Sequence, residues 1–449
     1  MRAPRKQADY SRSPFGRPVW PALLAVAFLG VATFFNFTYP LWEGSDEPQH
    51  FEQIRYLARE RALPRPVSWA TTQRLDLRNM SHHPPVYYSL QAALVGWLMP
   101  GGEARVWRAN PYVTWPDHPA AQALAVHTPD EQPPYAPAVL AGHAARAVST
   151  LLGLLIVLAA YLLAREVLSP GVALFAAGVV AFTPGVVYLS ATINTEVAAA
   201  AFGGLALALA VRLARRGGGA LRYGLLIGGL AALAGLAKLT GFAVVPIAAL
   251  AGLLAPFSSS HKASPGLKPR AESTKPAEAG WERPQPPAGG FVDSARPLMA
   301  GRPWPARLLY LALALGLPAL AAGGWYLSAR ADWDLIIENS ELTAVGAGAS
   351  AGWLLTPLNP AAWPRLAWAL PRLFFSYWGV LGPVSDAFYL PAPFYYAAAL
   401  LVAAAGVGLV AYLLPRLSHP RSSAFIGGSH LFWARALVAL AALSLLYAV

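Results

Sequence analysis

The feature that most constrains this chain is a series of apolar runs that are long enough to cross a lipid bilayer. A membrane-spanning helix needs about 20 mostly apolar residues. Only 12% of the residues are charged, whereas soluble domains carry about 25%. We therefore expect an all-α, polytopic transmembrane helical bundle with about nine or more spans. The predicted spans are 18–41, 137–164, 170–190, 196–214, 222–238, 240–256, 307–327, 393–414 and 432–449.

The charge distribution predicts the orientation of the bundle. With the N-terminus inside, the inner segments hold 21 Lys or Arg and 6 Asp or Glu, whereas the outer segments hold 13 and 16. Because positive residues favour cytoplasmic loops, we expect a multi-pass protein of the cell membrane with a cytoplasmic N-terminus. The net charge of +12 follows from this asymmetry and does not indicate nucleic acid.

This topology predicts two transmembrane modules joined by a linker. The linker is rich in Pro and Ser between scattered charges, a composition typical of disorder. Interfacial helices are expected in the long first outer loop. The predicted parts are a cytoplasmic basic tail 1–17, an N-terminal module 18–256 with outer loop 42–136, a disordered cytoplasmic linker 257–306, and a C-terminal module 307–449 with outer loop 328–392.

The stretch "GSDEPQHF" begins the first outer loop and carries two adjacent acids and a histidine. Ser45 is a suitable N-cap, which places Asp46 and Glu47 in the first turn of a helix. One interpretation is that both acids only complement the helix dipole. The other is functional, because Asp46 and His50 at i, i+4 share one face at the membrane surface.

Further candidates lie at the predicted outer ends of other segments. His83 precedes a Pro-Pro pair and a short apolar helix whose first turn contains Tyr87. Glu196 opens a later span, where it either favours the helix dipole or faces a partner. Lys238 and Arg146, near outer span ends, either extend to the interface or pair with a lipid phosphate.

The second outer loop predicts one more basic face. Arg365 and Arg372 are seven residues apart and therefore share a helical face among Trp, Phe and Tyr residues. Such a segment is typical of an aromatic-anchored interfacial helix. The centres of the predicted spans carry no chain of charged residues, which disfavours an ion or solute transporter. The candidates instead indicate outer-surface chemistry on a membrane-held substrate.

Several stretches together resemble the GT-C class of polytopic glycosyltransferases, which includes protein O-mannosyltransferases and lipid A aminoarabinose transferases. The likeness extends to a bacterial membrane-protein branch with an Asp-Glu-Pro-x-His-Phe signature, and it excludes the linker and the insertion near 100–135. The stretches that carry it are "SDEPQHFEQIRYLARERALP", "HHPPVYYSLQAAL", "TPGVVYLSATINTEVAAA", "AKLTGFAVVP" and "FFSYWGVLGPVSDAFYLPAPFYY".

The resemblance implies roles for particular residues. Asp46 stands where the class has an essential acid, and Glu196 where it has a second acid that is Asp in many relatives. His83 replaces a basic residue that contacts the carrier phosphate in the aminoarabinose transferases. Because His, unlike Arg or Lys, is largely neutral at pH 7, the phosphate role passes in part to other cations: Lys238, Arg146, or the face formed by Arg365 and Arg372.

The implied activity is transfer of a sugar from a polyprenyl-phosphate carrier to a lipid, glycan or protein acceptor on the extracytoplasmic face. The expected mechanism is an inverting single displacement with Asp46 as general base. Two alternatives remain: a glycan polymerase or ligase with polyprenyl-diphosphate donors, and a non-catalytic flippase or scaffold of the cell envelope.

The last open question concerns a metal. The chain contains no cysteine, so thiolate ligands are excluded. Asp46, Glu47 and His50 are candidate ligands for a divalent cation, and oxygen-rich ligation favours Mg²⁺ or Mn²⁺. The alternative is that Glu47 and His50 only hold Asp46 in place. The substrate-binding candidates are then Glu47, His50, His83, Tyr87, Arg146, Lys238, Arg365 and Arg372.

Overall fold

The computed structural model describes residues 15, 17–63, 80, 83–101, 106–112, 123–257, 304–328, 374–375, 377–381 and 388–417. Within these ranges the chain is helical apart from loops and one two-stranded antiparallel pair. The elements are α1 (Val19–Thr38), α2 (Glu47–Glu60), α3 (Val86–Val95), α4 (Pro137–Arg165), α5 (Pro170–Ala181), α6 (Pro184–Ser190), α7 (Glu196–Arg216), α8 (Ala220–Ala237), α9 (Val244–Leu254), α10 (Trp304–Ser328), β1 (Val380–Leu381), β2 (Phe388–Tyr389) and α11 (Ala392–Leu417).

Five described helices are long and apolar enough to cross a membrane, namely α1, α4, α7, α8 and α10. Helices α5 and α6 give a sixth if they count as one span with a bend of 64° between them. Shorter apolar helices cover Leu239–Leu254 and Ala392–Val407. The all-α, polytopic class is confirmed. The predicted span 432–449 lies outside the described residues, and the number of nine stays a prediction.

The two ends of the bundle differ in charge. We call the end that carries α2 and α3 the loop end. There the C-termini of α1 and α8 meet the N-termini of α4 and α7. At the opposite end, Glu166 accepts a hydrogen bond from Arg216 Nε at 2.8 Å and lies 3.6 Å from Arg212 Nη1. We call this the basic end, because it also carries Arg165, Arg215 and Arg222.

Close packing of small residues holds the centre of the bundle together. Helix α7 packs between α4 and α8, and α8 packs against α10. An added Cβ at Gly228 would clash with the backbone of Leu313, so glycine is required for this approach of α8 to α10. Because α10 also contacts α9, the first helix of the predicted C-terminal module belongs to the same bundle as the N-terminal one. Nearly all of the proposed linker lies outside the described residues.

Helices α2 and α3 are the helices predicted for the first outer loop, and they pack onto the bundle. Phe51 and Ile54 from α2 and Tyr87 from α3 belong to one apolar cluster with residues of α4 and α7. His50 contacts Tyr88, and Ala58 lies against Gly96 just after α3. Both contacts join residues 38 positions apart, so the two helices run side by side in the same direction.

Glu43, just before α2, holds the insertion near 100–135 against the bundle through hydrogen bonds. Arg108 O accepts a hydrogen bond from Val126 N at 2.8 Å, which joins the two described segments of the insertion beside the bridge between Ala109 and Ala125. Glu43 accepts hydrogen bonds of 2.9 Å from the backbone N–H groups of Leu124 and Ala125. His127 bridges Glu43 at 3.0 Å and Glu131 at 2.8 Å. Glu43 therefore anchors the insertion beside the start of α2.

Candidate active site

A buried ion pair between α4 and the start of α2 organises the loop end. Arg146 Nε and Nη2 each donate a hydrogen bond of 2.6 Å to the two carboxylate oxygens of Glu47, and both side chains are 0% exposed. This two-pronged geometry is the one in which Arg and carboxylate interact most strongly. The remaining Arg146 N–H groups donate to the carbonyls of Asn36, Tyr39 and Pro40 at 2.7–3.0 Å.

Glu47 also binds two backbone segments that are far apart in the chain. Its Oε2 accepts from the N–H of Trp42 at 3.1 Å and of Gly44 at 3.2 Å, and its Oε1 accepts from Ile193 N at 3.0 Å. Because protein groups use both oxygens and the whole guanidinium of Arg146, neither residue has capacity left for a ligand. The interpretation of Glu47 and Arg146 as substrate-binding residues does not fit this geometry. Their role is to position the loop.

Asp46 occupies the N-cap position of α2, one residue later than Ser45, which the sequence favoured. Its backbone is left-handed with φ 54°, and its side chain makes no capping hydrogen bond. Asp tolerates this conformation better than most residues. The Asp46 carbonyl accepts the first helical bond from His50 N at 2.9 Å. The backbone therefore fixes Asp46 at the helix start, and its half-buried carboxylate does not cap the helix.

His50 lies on the same face of α2 as Asp46, as the i, i+4 spacing predicts. Its Nδ1 is 2.7 Å from the Tyr88 hydroxyl, and its ring is buried. The His83 ring lies perpendicular to it at 5.6 Å between ring centroids. The structure thus brings together two of the predicted histidines from separate parts of the first loop.

The tyrosine that reaches these histidines is Tyr88, which sequence reasoning did not select. Tyr87 points the other way, and its hydroxyl binds Ser149 at 3.0 Å, Gln91 Nε2 at 2.9 Å and Asn194 N at 3.1 Å. Because successive helical residues differ by about 100° in direction, only one of the two can face His50. The Tyr87 hydroxyl is engaged by these three structural partners, which does not favour the predicted substrate-binding role.

The second predicted acid lies at the same level. Glu196, the first residue of α7, forms an ion pair with Lys238, the residue that follows α8. These side chains are 27% and 30% exposed, so the pair stays accessible from the loop end. Asn194 caps α7 by accepting a hydrogen bond from Val197 N at 3.0 Å. Asn194 therefore caps α7, and the Glu196 carboxylate pairs with Lys238 instead of capping the helix.

Electrostatics show that both acids act on the same tyrosine. Burial raises the pKa of the Tyr88 phenol well above its ordinary value, and the neighbouring Tyr87 phenol adds to this. The carboxylates of Glu196 and Asp46 raise that pKa further. Tyr88 is consequently a neutral hydrogen-bonding group between two acids. We call this set the acid–histidine cluster: Asp46, His50, His83, Tyr88, Glu196 and Lys238.

The predicted metal trio does not fit a divalent cation. Glu47 is saturated by Arg146 and three backbone donors. The Nδ1 of His50 is engaged with Tyr88. Within the described part of the chain, no group of three or more His, Asp or Glu residues has the arrangement of a metal site. Arg365 and Arg372 lie outside the described residues.

Comparison with known proteins bears on the same region. Residues 140–266 match the family described as dolichyl-phosphate-mannose-protein mannosyltransferase. This match confirms the resemblance to GT-C glycosyltransferases over that stretch. It contains Glu196 and Lys238 and begins after Asp46 and His83. No curated protein matches the chain.

Two solved structures share a distant likeness, both of the Archaeoglobus fulgidus oligosaccharyltransferase. The apo form is 14% identical with a TM-score of 0.41, and the match covers 96% of this chain and 50% of that one. The complex with zinc and sulfate is 15% identical with a TM-score of 0.38, covering 94% and 48%. This chain thus spans about half the length of that protein.

Proposed function

We propose that this chain is a membrane glycosyltransferase that moves a sugar from a polyprenyl-phosphate carrier to an acceptor on the extracytoplasmic face. The observation that carries the proposal is the position of Asp46. Asp46 is placed by a left-handed helix start, its side chain does not cap the helix, and it lies on the face of α2 that carries His50, the partner of Tyr88. The acceptor class is a hydroxyl of a lipid, glycan or protein.

The reaction is an inverting single displacement. The acceptor oxygen forms a bond to the anomeric carbon while the bond from that carbon to the phosphate oxygen breaks. Asp46 takes the proton of the attacking hydroxyl, and the carrier leaves as its lipid phosphate with the electron pair of the broken bond. A positioned base of this kind accelerates a reaction by about 10²–10⁴-fold.

The departing phosphate needs a cation, and Lys238 is the candidate in the acid–histidine cluster. Its ion pair with Glu196 fixes the ammonium at the loop end, and its partial exposure leaves room for a phosphate oxygen. His83 supplies a further hydrogen bond, and a positive charge when it is protonated. Glu196 then acts by holding Lys238 rather than as a second base. This assignment removes Arg146 from the phosphate role.

The charge of the two bundle ends supports an orientation. The basic end carries the Arg residues that end α4 and α7 and begin α8, and such residues favour the cytoplasmic side. The loop end then faces outward, and the N-terminus lies in the cytoplasm. The membrane is the plasma (inner) membrane of the cell. The carrier lipid would reach the cluster laterally, from the surrounding membrane.

The test is transfer of labelled sugar from polyprenyl-phosphate donors, measured in membranes that contain the Asp46→Asn variant. The expected result is a loss of transfer of about 10²-fold or more, with normal amounts of folded protein. Glu60→Gln is the matched control, because it makes the same acid-to-amide change at the exposed end of the same helix. Full transfer by Asp46→Asn would overturn the role of Asp46 as base.

The choice of donor and the complementation of a deletion strain separate the alternatives. A glycan polymerase or ligase would use polyprenyl-diphosphate donors and would be inactive with the monophosphates. A flippase or scaffold would keep its ability to complement a deletion strain after Asp46→Asn, whereas a transferase would lose it.

The four-part division of the chain into tail, two modules and linker remains part of the proposal.

A further inference from the structure

Three glutamines between α2 and α3 have buried amide atoms that find no hydrogen-bond partner among the described protein atoms. Gln53 is 0% exposed, and both its Oε1 and its Nε2 lack a partner. The Oε1 atoms of Gln49 and Gln91 are in the same condition. Most buried polar groups in folded proteins are paired, so this concentration of unpaired atoms between two short helices requires an explanation.

The three glutamines form a glutamine layer, in which Gln53 and Gln91 lie about one helical turn beyond His50 and Tyr88 along the axes of α2 and α3. Gln49 and Gln53 lie three and seven residues after Asp46, which places them on the Asp46 face of α2. Because α2 and α3 run in register with an offset of 38 residues, Gln53 is level with Gln91, just as His50 is level with Tyr88. The layer therefore continues from His50 and Tyr88 by one helical turn.

The chemistry of the layer suits a carbohydrate. An amide presents an acceptor oxygen and two donor hydrogens, and each sugar hydroxyl both donates and accepts. Burying such an amide without a partner is unfavourable, and a bound hydroxyl would remove that penalty. An apolar tail or a phosphate would not use both atoms of Gln53, whereas a sugar would.

We propose that Gln53, together with Gln49 and Gln91, forms the subsite that hydrogen-bonds the donor sugar while its anomeric carbon lies at Asp46. This proposal rests on the proposed function and names specificity-determining residues for it. Gln91 has a second task, since its Nε2 donates to Tyr87 Oη at 2.9 Å and to Ala145 O at 3.0 Å. Gln53 has no such task, and because it is fully buried, the sugar reaches it when α2 and α3 move apart.

The experiment uses Gln53→Met in the full chain, since Met keeps the volume and removes both polar atoms. Two quantities are measured in detergent: the affinity for polyprenyl-phosphate sugar, and the affinity for bare polyprenyl phosphate. The expected result is a loss of about fivefold or more in affinity for the glycosylated lipid, with unchanged affinity for the bare lipid. KM for the donor should rise by a similar factor. Thermal stability should be unchanged or higher, because an unpaired buried amide has been removed.

The outcomes distinguish this proposal from the proposed function. If the wild type transfers sugar and Gln53→Met keeps the wild-type KM and affinities, the glutamines are bridged by structural water and the subsite is wrong. If the wild type prefers the glycosylated lipid but transfers nothing, the proposed function fails while a Gln53-dependent preference still supports the subsite. Ala93→Ser on α3 serves as a control for unrelated changes near the layer, and it should alter neither affinity.

Discussion

Arg146 and Glu47 are joined by two hydrogen bonds of 2.6 Å in the interior of the protein, and the same Glu47 accepts the backbone N–H of Ile193 at 3.0 Å. One side-chain pair thus connects the end of α1, the start of α2, the body of α4 and the turn before α7. This connection fixes the backbone on both sides of the adjacent Asp46.

The first prediction concerns that ion pair. Arg146→Met leaves a buried carboxylate without its cation, and breaking a buried pair typically costs about 3–5 kcal/mol. We expect a correspondingly lower free energy of unfolding, which denaturant titration in detergent measures. Arg59→Met is the control, because its contact with Glu60 is 3.9 Å long and exposed, and such pairs contribute less than about 1 kcal/mol. Equal stabilities for both variants would contradict the structural role.

The second prediction uses the left-handed backbone of Asp46. Asn tolerates φ 54° as well as Asp does, whereas a β-branched residue is strained there by about 1–2 kcal/mol. Asp46→Asn should therefore unfold at the wild-type denaturant concentration and Asp46→Val at a lower one. Because both remove the carboxylate, both should lose transfer. Equal destabilisation of the two variants would show that φ at this residue is not left-handed.

The third prediction separates the two adjacent tyrosines. Tyr87→Phe leaves the N–H of Asn194 and the Ser149 hydroxyl without their partner, so it should lower stability by about 1–3 kcal/mol. Tyr88→Phe removes the contact with His50 and should change the dependence of transfer on pH more than it changes unfolding. Unfolding curves and pH–rate profiles of both variants check this. The opposite pattern would mean that Tyr87 is the tyrosine of the active site.

The fourth prediction concerns the pair formed by Glu196 and Lys238. Lys238→Met leaves the Glu196 carboxylate without its ion-pair partner, whereas the double variant with Glu196→Gln removes both charges together. We expect the double variant to be more stable than the sum of the single effects indicates, by about 0.5–3 kcal/mol. Measuring all three variants by denaturant unfolding gives this coupling energy. A coupling energy near zero would show that the two side chains do not interact, and it would contradict the proposed place of Lys238 beside the phosphate.

The fifth prediction is a pH dependence of the insertion. Hydrogen bonding to Glu43 and the neighbouring Glu131 raises the pKa of His127 to about 9, against the opposing effect of partial burial. Since the folded pKa lies above the ordinary value of 6.5, this stabilisation is complete below pH 6.5 and is lost as pH rises through 9. Exchange of the Leu124 and Ala125 amide hydrogens, normalised to intrinsic rates, should accelerate across that window. His127→Gln should abolish the change, and a flat profile in the wild type would refute the prediction.

Much of the fold follows from patterns within short stretches of sequence. Apolar runs locate most described helices, the i, i+4 spacing places Asp46 and His50 on one face, and Pro84-Pro85 marks the start of α3. The sequence also carries a local signal for a break in one span: Pro184, inside the predicted span 170–190, stands where that span bends into α5 and α6. A proline removes a helical hydrogen bond and disfavours a continuous helix.

The rest of the site depends on contacts between distant parts of the chain. Nothing near Glu47 in sequence reveals that its partner is Arg146, because the pairing is set by how α4 packs on α1. The choice between Tyr87 and Tyr88 likewise depends on the rotation of α3 about its axis. The buried state of Gln53 depends on α2 lying beside α3 in one register. Packing decides each of these, and local spacing does not.

The pairing partners of Glu47 also have a consequence for the order of assembly. Arg146 follows it by 99 residues and Ile193 by 146, so a ribosome must complete α4 before Glu47 can be neutralised, and the turn before α7 before its hydrogen bonds are complete. Until then the first loop holds an unpaired acid beside the membrane and Asp46 has no fixed geometry. The earliest-made part of the site therefore takes its final form only after much later parts of the chain have been made, and a chain stopped before residue 193 should leave it incomplete.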